Sequence, residues 1–229
     1  MTECVCVVAS RTVLWLLFTF TAFGCCVLAF LTPTWLVAPS PSGENEGGGA
    51  VSMTPPTFVG TGLEIGLVKR CLVTYLQNAD GGHSCRFLGF AQYDAAAWKA
   101  SVVLFGVSAG LLAVATTLGI VTFWKQNVGR YNIVSIAGLI QGLSMFILVP
   151  GATIYPIAWS SDTFRQTCGQ EASIYNPGTC SVGWGIYVVA AGIVLTLFAC
   201  LLSPKAAKAC NSHRVEEKIG NGYSCIFVP

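Results

Sequence analysis

Charge is scarce in this 229-residue chain: Lys, Arg, Asp and Glu make up 10% of it, against about 25% in an ordinary soluble domain. Histidine is scarcer still. Only His83 and His213 occur, and neither has partners spaced to build a metal site or a general base. There is no Cys-x-x-Cys pair and no Asn-x-Ser/Thr acceptor, which excludes a dithiol redox centre and an N-linked glycan. A net charge of +2 lacks the clustered cations of a nucleic-acid binder. The chain is therefore read as not an enzyme, with no cofactor, no metal, no nucleic acid and no small-molecule substrate.

What is abundant is apolar: 54% of residues are hydrophobic. Four uncharged stretches stand out, Thr12 to Leu31, Ala100 to Trp124, Tyr131 to Ile157 and Trp184 to Ser203. Each has about 20 residues or more, the length of helix that crosses the roughly 30 Å hydrocarbon core of a bilayer. In lipid each backbone N–H and C=O must be satisfied within its own segment, so each stretch is predicted to be a transmembrane helix. The organisation predicted is a single four-span domain over 1–229, with spans at 12–32, 97–124, 132–157 and 184–203. A terminal segment 1–11, a short inner loop 125–131 and a tail 204–229 lie on one side. Outer loops 33–96 and 158–183 lie on the other.

Lysine and arginine choose the side. Arg11, Lys125, Arg130, Lys205, Lys208, Arg214 and Lys218 share one face of the membrane, so both termini are predicted to be cytoplasmic, in a multi-pass plasma-membrane protein. The first span exceeds the 7–15 apolar residues of a signal peptide and is read as a retained anchor. No span core contains Asp, Glu, Lys, Arg or His, which argues against a pump, proton relay or voltage sensor. Polarity inside the spans centres on Gln141, flanked by Gly138 and Gly142, while Gly106 and Gly110 repeat the same small-residue spacing in the second span. Such glycines let helices approach closely, and a buried amide can bond across the contact. The expected use is packing within the bundle, with docking of another membrane protein as the sharper alternative.

The first outer loop opens with a Ser/Pro/Gly-rich stretch. From Leu63 onward Leu63, Ile65, Leu67, Cys71, Val73 and Tyr75 occupy alternate positions, which reads as strand. A small antiparallel sheet is expected there, with a turn near Asn78 to Gly82. The second outer loop is expected to hold little more than a turn and one strand. Cys71 and Cys85 fall in the first loop, Cys168 and Cys180 in the second. Four cysteines allow three pairings, of which two within-loop bridges are the simplest. Trp35, Trp159 and Trp184 read as anchors at the outer membrane interface. Cys4, Cys6 and Cys210 lie where palmitoylation can occur, a reading from position alone.

Trp35, Gly66-Leu67-Val68-Lys69-Arg70-Cys71 and Cys85 resemble the claudin-superfamily signature of the first extracellular loop, except that Val68 replaces its second tryptophan. That departure counts against claudin-style strand or pore formation. Tyr155-Pro156-Ile157-Ala158-Trp159, Cys168-Gly169 and Gly178-Thr179-Cys180-Ser181-Val182-Gly183-Trp184 are similar to elements of the lipoma HMGIC fusion partner-like (LHFP-like) tetraspan family. Arg11 to Trp15 and Val215-Glu216-Glu217 most resemble its second subtype. The resemblance implies a membrane, mainly α fold: a left-handed four-transmembrane-helix bundle with a small extracellular antiparallel β-sheet, four strands from the first loop and one from the second. It also implies an accessory subunit or organiser that binds another integral membrane protein in cis. Claudin-like self-association for adhesion or barrier formation is the alternative.

Overall fold

A computed structural model describes residues 6–39, 58–76, 79–123, 127–128, 131–210 and 225–228. In chain order they form β1 (Cys6–Ala9), α1 (Ser10–Leu31), β2 (Leu36–Ala38), β3 (Phe58–Ile65), β4 (Lys69–Leu76) and β5 (Ala79–Phe87). Then come α2 (Ala96–Val121), β6 (Asn127–Val128), β7 (Tyr131–Asn132), α3 (Ile133–Ile154), α4 (Asp162–Cys168), β8 (Ser181–Val182), α5 (Trp184–Cys210) and β9 (Cys225–Val228). Short 3-10 turns at Phe90–Gln92 and Tyr155–Ser160 join them. Four helices are long and apolar enough to cross a membrane: Ser10–Leu31, Ala96–Val121, Ile133–Ser160 and Trp184–Lys208. The residues divide into two compact units.

The first unit comprises Met1–Val27, Leu104–Pro150 and Val188–Pro229. In it, residues of α1, α2, α3 and α5 pack around Trp15, Leu16, Ala115, Val134, Ala137, Ala199 and Ala206. With lipid as apolar as leucine, burial supplies little force between spans, so close fit and hydrogen bonds carry the packing. Trp15 and Leu16 of α1 lie on Gly119 of α2, where an added Cβ would stand 2.6 Å from the Leu16 side chain. Gly192 of α5 receives Cys25 of α1, and Phe18 stacks on Phe198 at 6.2 Å. Gly138 of α3 sits directly against Ser203 of α5, whose hydroxyl donates to the Val134 carbonyl at 2.8 Å. Gly142 lies 3.5 Å from the Cys200 sulfur by the same measure. Two-stranded pairings of β1 with β9, parallel, and of β6 with β7, antiparallel, belong to this unit.

The spans accept hydroxyls because the helices satisfy them. Thr19, Thr116 and Thr196 each donate to the carbonyl four residues back, at 2.8, 2.7 and 2.7 Å. Thr21 and Thr117 do the same from exposed positions, so these hydroxyl protons do not face hydrocarbon. Ser108 and Ser144 join α2 to α3 through a hydroxyl pair at 2.8 Å and reciprocal bonds to each other's carbonyls. Gln141 of α3 is fully buried. Its Oε1 accepts from Trp15 Nε1 at 3.1 Å and its Nε2 donates to Thr19 Oγ1 at 2.7 Å, joining α3 to α1.

Gly106 and Gly110 correct the expectation of packing within the bundle. Both are exposed, and an added Cβ at either meets nothing within 4 Å. The buried face of α2 runs through Phe105, Ser108, Leu112, Ala115 and Gly119, a spacing of three and four that turns residues 106 and 110 away. Spacing alone shows that two glycines share a face, not which face it is.

The second unit comprises Leu28–Val103 and Gly151–Tyr187. Its five-stranded sheet has the order β5-β4-β3-β2-β8, antiparallel throughout. Four strands come from the segment between α1 and α2 and one from that between α3 and α5, the division expected from the resemblance. Two readings are corrected. The alternating run from Leu63 is a hairpin rather than one strand, turning at 66–68. Because Ile65 pairs with Arg70 and Glu64 with Cys71, Ile65 and Cys71 lie on opposite faces. Both are buried, so the apolar alternation, interrupted only by Lys69, hides a change of face. The segment after α3 also holds more than a turn and a strand. It contains α4, whose apolar signal is only Phe164 and Cys168 among seven residues.

These contacts separate the glycines by stability. Gly138→Ala is expected to cost about 1–3 kcal/mol by overpacking, whereas Gly106→Ala and Gly110→Ala stay within about 0.5 kcal/mol or stabilise slightly. Thermal unfolding in mild detergent measures all three. Gln141→Leu, which leaves the Trp15 N–H without its acceptor, is expected to lose about 1–2 kcal/mol. In a double-mutant cycle with Thr19→Val, the two losses should be less than additive.

Candidate interaction ectodomain and its core

Trp35 organises the second unit. Its indole N–H donates to the Ala29 carbonyl at 2.7 Å, folding the chain back on the end of α1, and the side chain is 1% exposed. Three glycines enclose the Thr32–Trp35 corner. Gly66 lies against Thr32 and Pro33, Gly183 against Thr34, and Gly185 against the Trp35 ring and Thr34. Gly183 N donates to the Trp35 carbonyl at 2.9 Å and Gly185 N to that of Thr34 at 3.0 Å. A Cβ at any of the three would press on this corner. Beside Gly66, the fully buried Leu67 offers its carbonyl to Trp98 Nε1 at 2.9 Å. The signature residues Trp35, Gly66 and Leu67 thus meet in one structural joint.

Around it runs a continuous series of rings. Trp35 meets Tyr155 at 4.8 Å, Tyr155 meets Trp159 at 6.2 Å and Phe164 at 6.3 Å, Phe164 meets Trp98 at 5.0 Å, and Trp98 meets Tyr93 at 4.9 Å. Trp159 is only 4% exposed and Trp184 is 48% exposed. The reading of three interfacial anchors is therefore corrected: Trp35 and Trp159 are core residues, because the glycines and aromatic neighbours around them exclude solvent and lipid alike. Sequence reasoning passed over Trp98, Tyr155 and Phe164. The Tyr-Pro-x-x-Trp element was the available signal for Tyr155, whereas nothing local marks Phe164.

One cation enters this core. Arg70 lies over the Trp98 ring at 5.2 Å, and its Nε and Nη2 are buried without hydrogen-bond partners. Burial pushes its pKa down, with Asp94, Tyr155 and Tyr93 opposing, but a guanidinium stays charged at any physiological pH. Burial also raises the Tyr93 pKa, against the pull of Arg70. Asp94 bridges two loops: Oδ1 accepts from Ala95 N at 3.2 Å and Oδ2 from Thr163 N at 3.0 Å. The second bond caps α4, whose own Ser161 makes no side-chain cap. Burial works against the ionised carboxylate, yet the hydrogen bonds from Thr163 and Ala95 outweigh it and hold the Asp94 pKa below its ordinary value.

Two disulfides brace the unit. Cys71–Cys85 ties β4 to β5 across directly paired residues, and Cys168–Cys180 ties the end of α4 to the start of β8. In the chain-entropy model each closed loop contributes about 3 kcal/mol. Within the second loop, Thr179 donates from both N and Oγ1 to the Cys168 carbonyl at 2.9 Å. Gly178, with φ +65°, presses against that carbonyl. The loop holds Tyr175 at φ 61°, a left-handed conformation that a bulky side chain adopts at a cost. A Ser173–Asn176 bridge and a bond from the Tyr175 hydroxyl to the Thr153 carbonyl at 2.9 Å maintain it. The result presents Ile174, 54% exposed, beside Tyr175, 60% exposed. Neither residue was singled out from sequence.

The predicted site residues are thus unequally placed. The four cysteines, Trp35, Gly66, Leu67 and Trp159 gather in the second unit, and Gly138, Gln141 and Gly142 are buried or partly buried at helix contacts of the first. Cys6 stands in β1 and Cys210 ends α5, while Cys4 lies outside the described residues. Among the described residues, no group of three His, Cys, Asp or Glu side chains could hold a metal ion.

Asp94→Ala is expected to remove about 1 kcal/mol by uncapping α4. In the wild type a depressed carboxylate pKa gives stability that is complete above the unfolded value, roughly pH 4, and falls as pH drops through the folded one. A melt series between pH 3 and 7 should show that acid slope flattened in the variant.

The lipoma HMGIC fusion partner-like protein family profile matches residues 11–205. The human LHFPL tetraspan subfamily member 2 protein is 28% identical, covering 97% of this chain and 98% of its own length. The Danio rerio member 2a protein is 29% identical over the same shares. The Mus musculus member 4 protein is 27% identical over 83% of this chain and 69% of its own length. The resemblance to the second subtype is matched by these full-length similarities. With four apolar spans, a four-plus-one sheet and a family match from Arg11 onward, the chain belongs to the lipoma HMGIC fusion partner-like tetraspan family.

Proposed function

We propose that this chain is a non-enzymatic accessory subunit or organiser. It would lie in the plasma membrane with both termini cytoplasmic and bind another integral membrane protein in cis through its extracellular unit. The observation that carries this reading is the loop tip at Ile174 and Tyr175. Two large apolar side chains stand exposed there on a backbone fixed by a disulfide, a glycine contact and a tyrosine hydrogen bond. Exposed aromatic anchors on a rigid frame lose little entropy on binding and commonly dominate interfaces. The spans support the same reading, since none of their cores offers a charged side chain for transport.

A second reading, claudin-like self-assembly for adhesion or barrier formation, is favoured by the sheet edge. Strand β5 ends the strand order and is exposed from Gly82 to Phe87, and such an edge can pair with a second copy.

The test is crosslinking and affinity purification of endogenously tagged protein from native membranes, comparing wild type with Ile174→Asp. Ile174 is 54% exposed, so disulfide formation and surface delivery should be unchanged. Stoichiometric recovery of one channel, receptor or adhesion protein, reduced at least tenfold in the variant, is the expected result. Recovery of only further copies of this chain, equally in both samples, would overturn it in favour of self-assembly.

A further inference from the structure

Two cavities lie along the contact of α3 with α5. One, of about 370 Å³, is lined by Asn132, Ser135, Pro204, Ala207 and Lys208. The other, of about 270 Å³, shares Ser135 and Pro204 and continues past Gly138, Leu139 and Cys200. Depth in the membrane differs between them. The uncharged stretch of α5 ends at Ser203, with Lys205 and Lys208 beyond it, and Ser135 lies in the first turn of α3. The Ser203 bond to Val134 fixes these two helix ends side by side. The first cavity therefore opens at headgroup level. The second runs toward the hydrocarbon, where Leu139 is 76% exposed.

We infer that this groove between α3 and α5 is a site for one anionic glycerophospholipid, its phosphate at Lys208 and Ser135 and an acyl chain along Gly138, Leu139 and Cys200. Among the described residues, the lining of the headgroup cavity includes one cation and no acid, and none of those residues forms an ion pair with Lys208. Lys205, exposed one turn earlier, adds a second positive charge nearby. Ser203 turns its hydroxyl inward to Val134, which leaves the groove floor apolar. An acidic peptide would fit the charge but not the apolar extension. The inference takes from the proposed orientation only that this end faces the cytoplasm, where leaflets carry anionic lipid and each lysine near the surface favours it.

The test is native mass spectrometry of the full chain, released from nanodiscs of phosphatidylcholine and phosphatidylserine at 4:1, counting retained lipids. Wild type is expected to retain phosphatidylserine above its share in the disc. Lys208→Gln should lower that preference about fivefold, which is roughly 1 kcal/mol, and Lys208→Arg should keep it. Ser135→Trp, filling the cavity from an exposed position, should remove retention of both lipids. Thermal melts of each variant should match wild type. Equal lipid ratios in wild type and Lys208→Gln, or unchanged retention in Ser135→Trp, would overturn the site. Full displacement of the lipid by soluble inositol hexakisphosphate would overturn it in favour of an anion site that ignores the acyl chain. These readouts need no membrane-protein partner, so their failure is distinct from failure of the proposed function.

Discussion

Hydrocarbon offers no hydrogen bonds, and that constraint governs the spans from backbone to side chain. It forces the four apolar stretches into helices, and it dictates where polar side chains can go. Threonines turn back on their own helix, serines pair across α2 and α3, and the buried Gln141 amide finds an indole N–H and a hydroxyl on α1. Once those bonds are made, the helices must be close, and only small residues allow it. Gly119, Gly138 and Gly192 stand where the contacts are tightest. Polar pairing and glycine placement are two consequences of one solvent.

A sheet and its connecting loops follow a different rule, because water could satisfy any exposed group. The second unit is ordered instead by a corner that excludes water. Thr32 to Trp35 is wrapped by Gly66, Gly183 and Gly185, which arrive from two distant parts of the chain. This explains how residues far apart in sequence form one signature: the tryptophan needs a carbonyl on α1, and the surrounding backbone can reach it only without side chains. The disulfides Cys71–Cys85 and Cys168–Cys180 then brace the chain just after Gly66 and just before Gly183. Arg70, held over Trp98 with two unpaired nitrogens, is the costly element of this core. Its aromatic neighbour and the charge of Asp94 offset part of the desolvation.

The spans and the sheet's composition were legible because length and alternation report directly on burial. Which face a residue occupies was less legible. Gly106 and Gly110 share a spacing with Gly138 and Gly142, yet the first pair is exposed and Gly138 is pressed against Ser203. A small-residue motif records a pair on one side of a helix, and only the neighbouring buried positions say whether that side is inward. The Ile65 to Cys71 turn shows the same limit for strands, where the four residues between the paired Ile65 and Arg70 move the odd-numbered apolar set to the other face. The loop tip had no signal at all. Ile174 and Tyr175 look like ordinary loop residues until the positive φ and the hydroxyl bond to Thr153 show that the conformation is held against its intrinsic preference.

That strained tip bears on the choice between conducting and assisting. A hydrated path needs polar groups turned toward a common lumen, but in the first unit Thr19, Ser108, Thr116, Gln141, Ser144, Thr196 and Ser203 are spent on neighbouring helices or their own backbone. Rearranging them to line a pore would break several contacts at once in a medium that supplies no replacement. A loop tip rigidified at an energetic cost, by contrast, yields nothing to the stability of the isolated chain. Such strain persists where a surface has to be presented in one conformation, which is what the proposed accessory role requires of this tip.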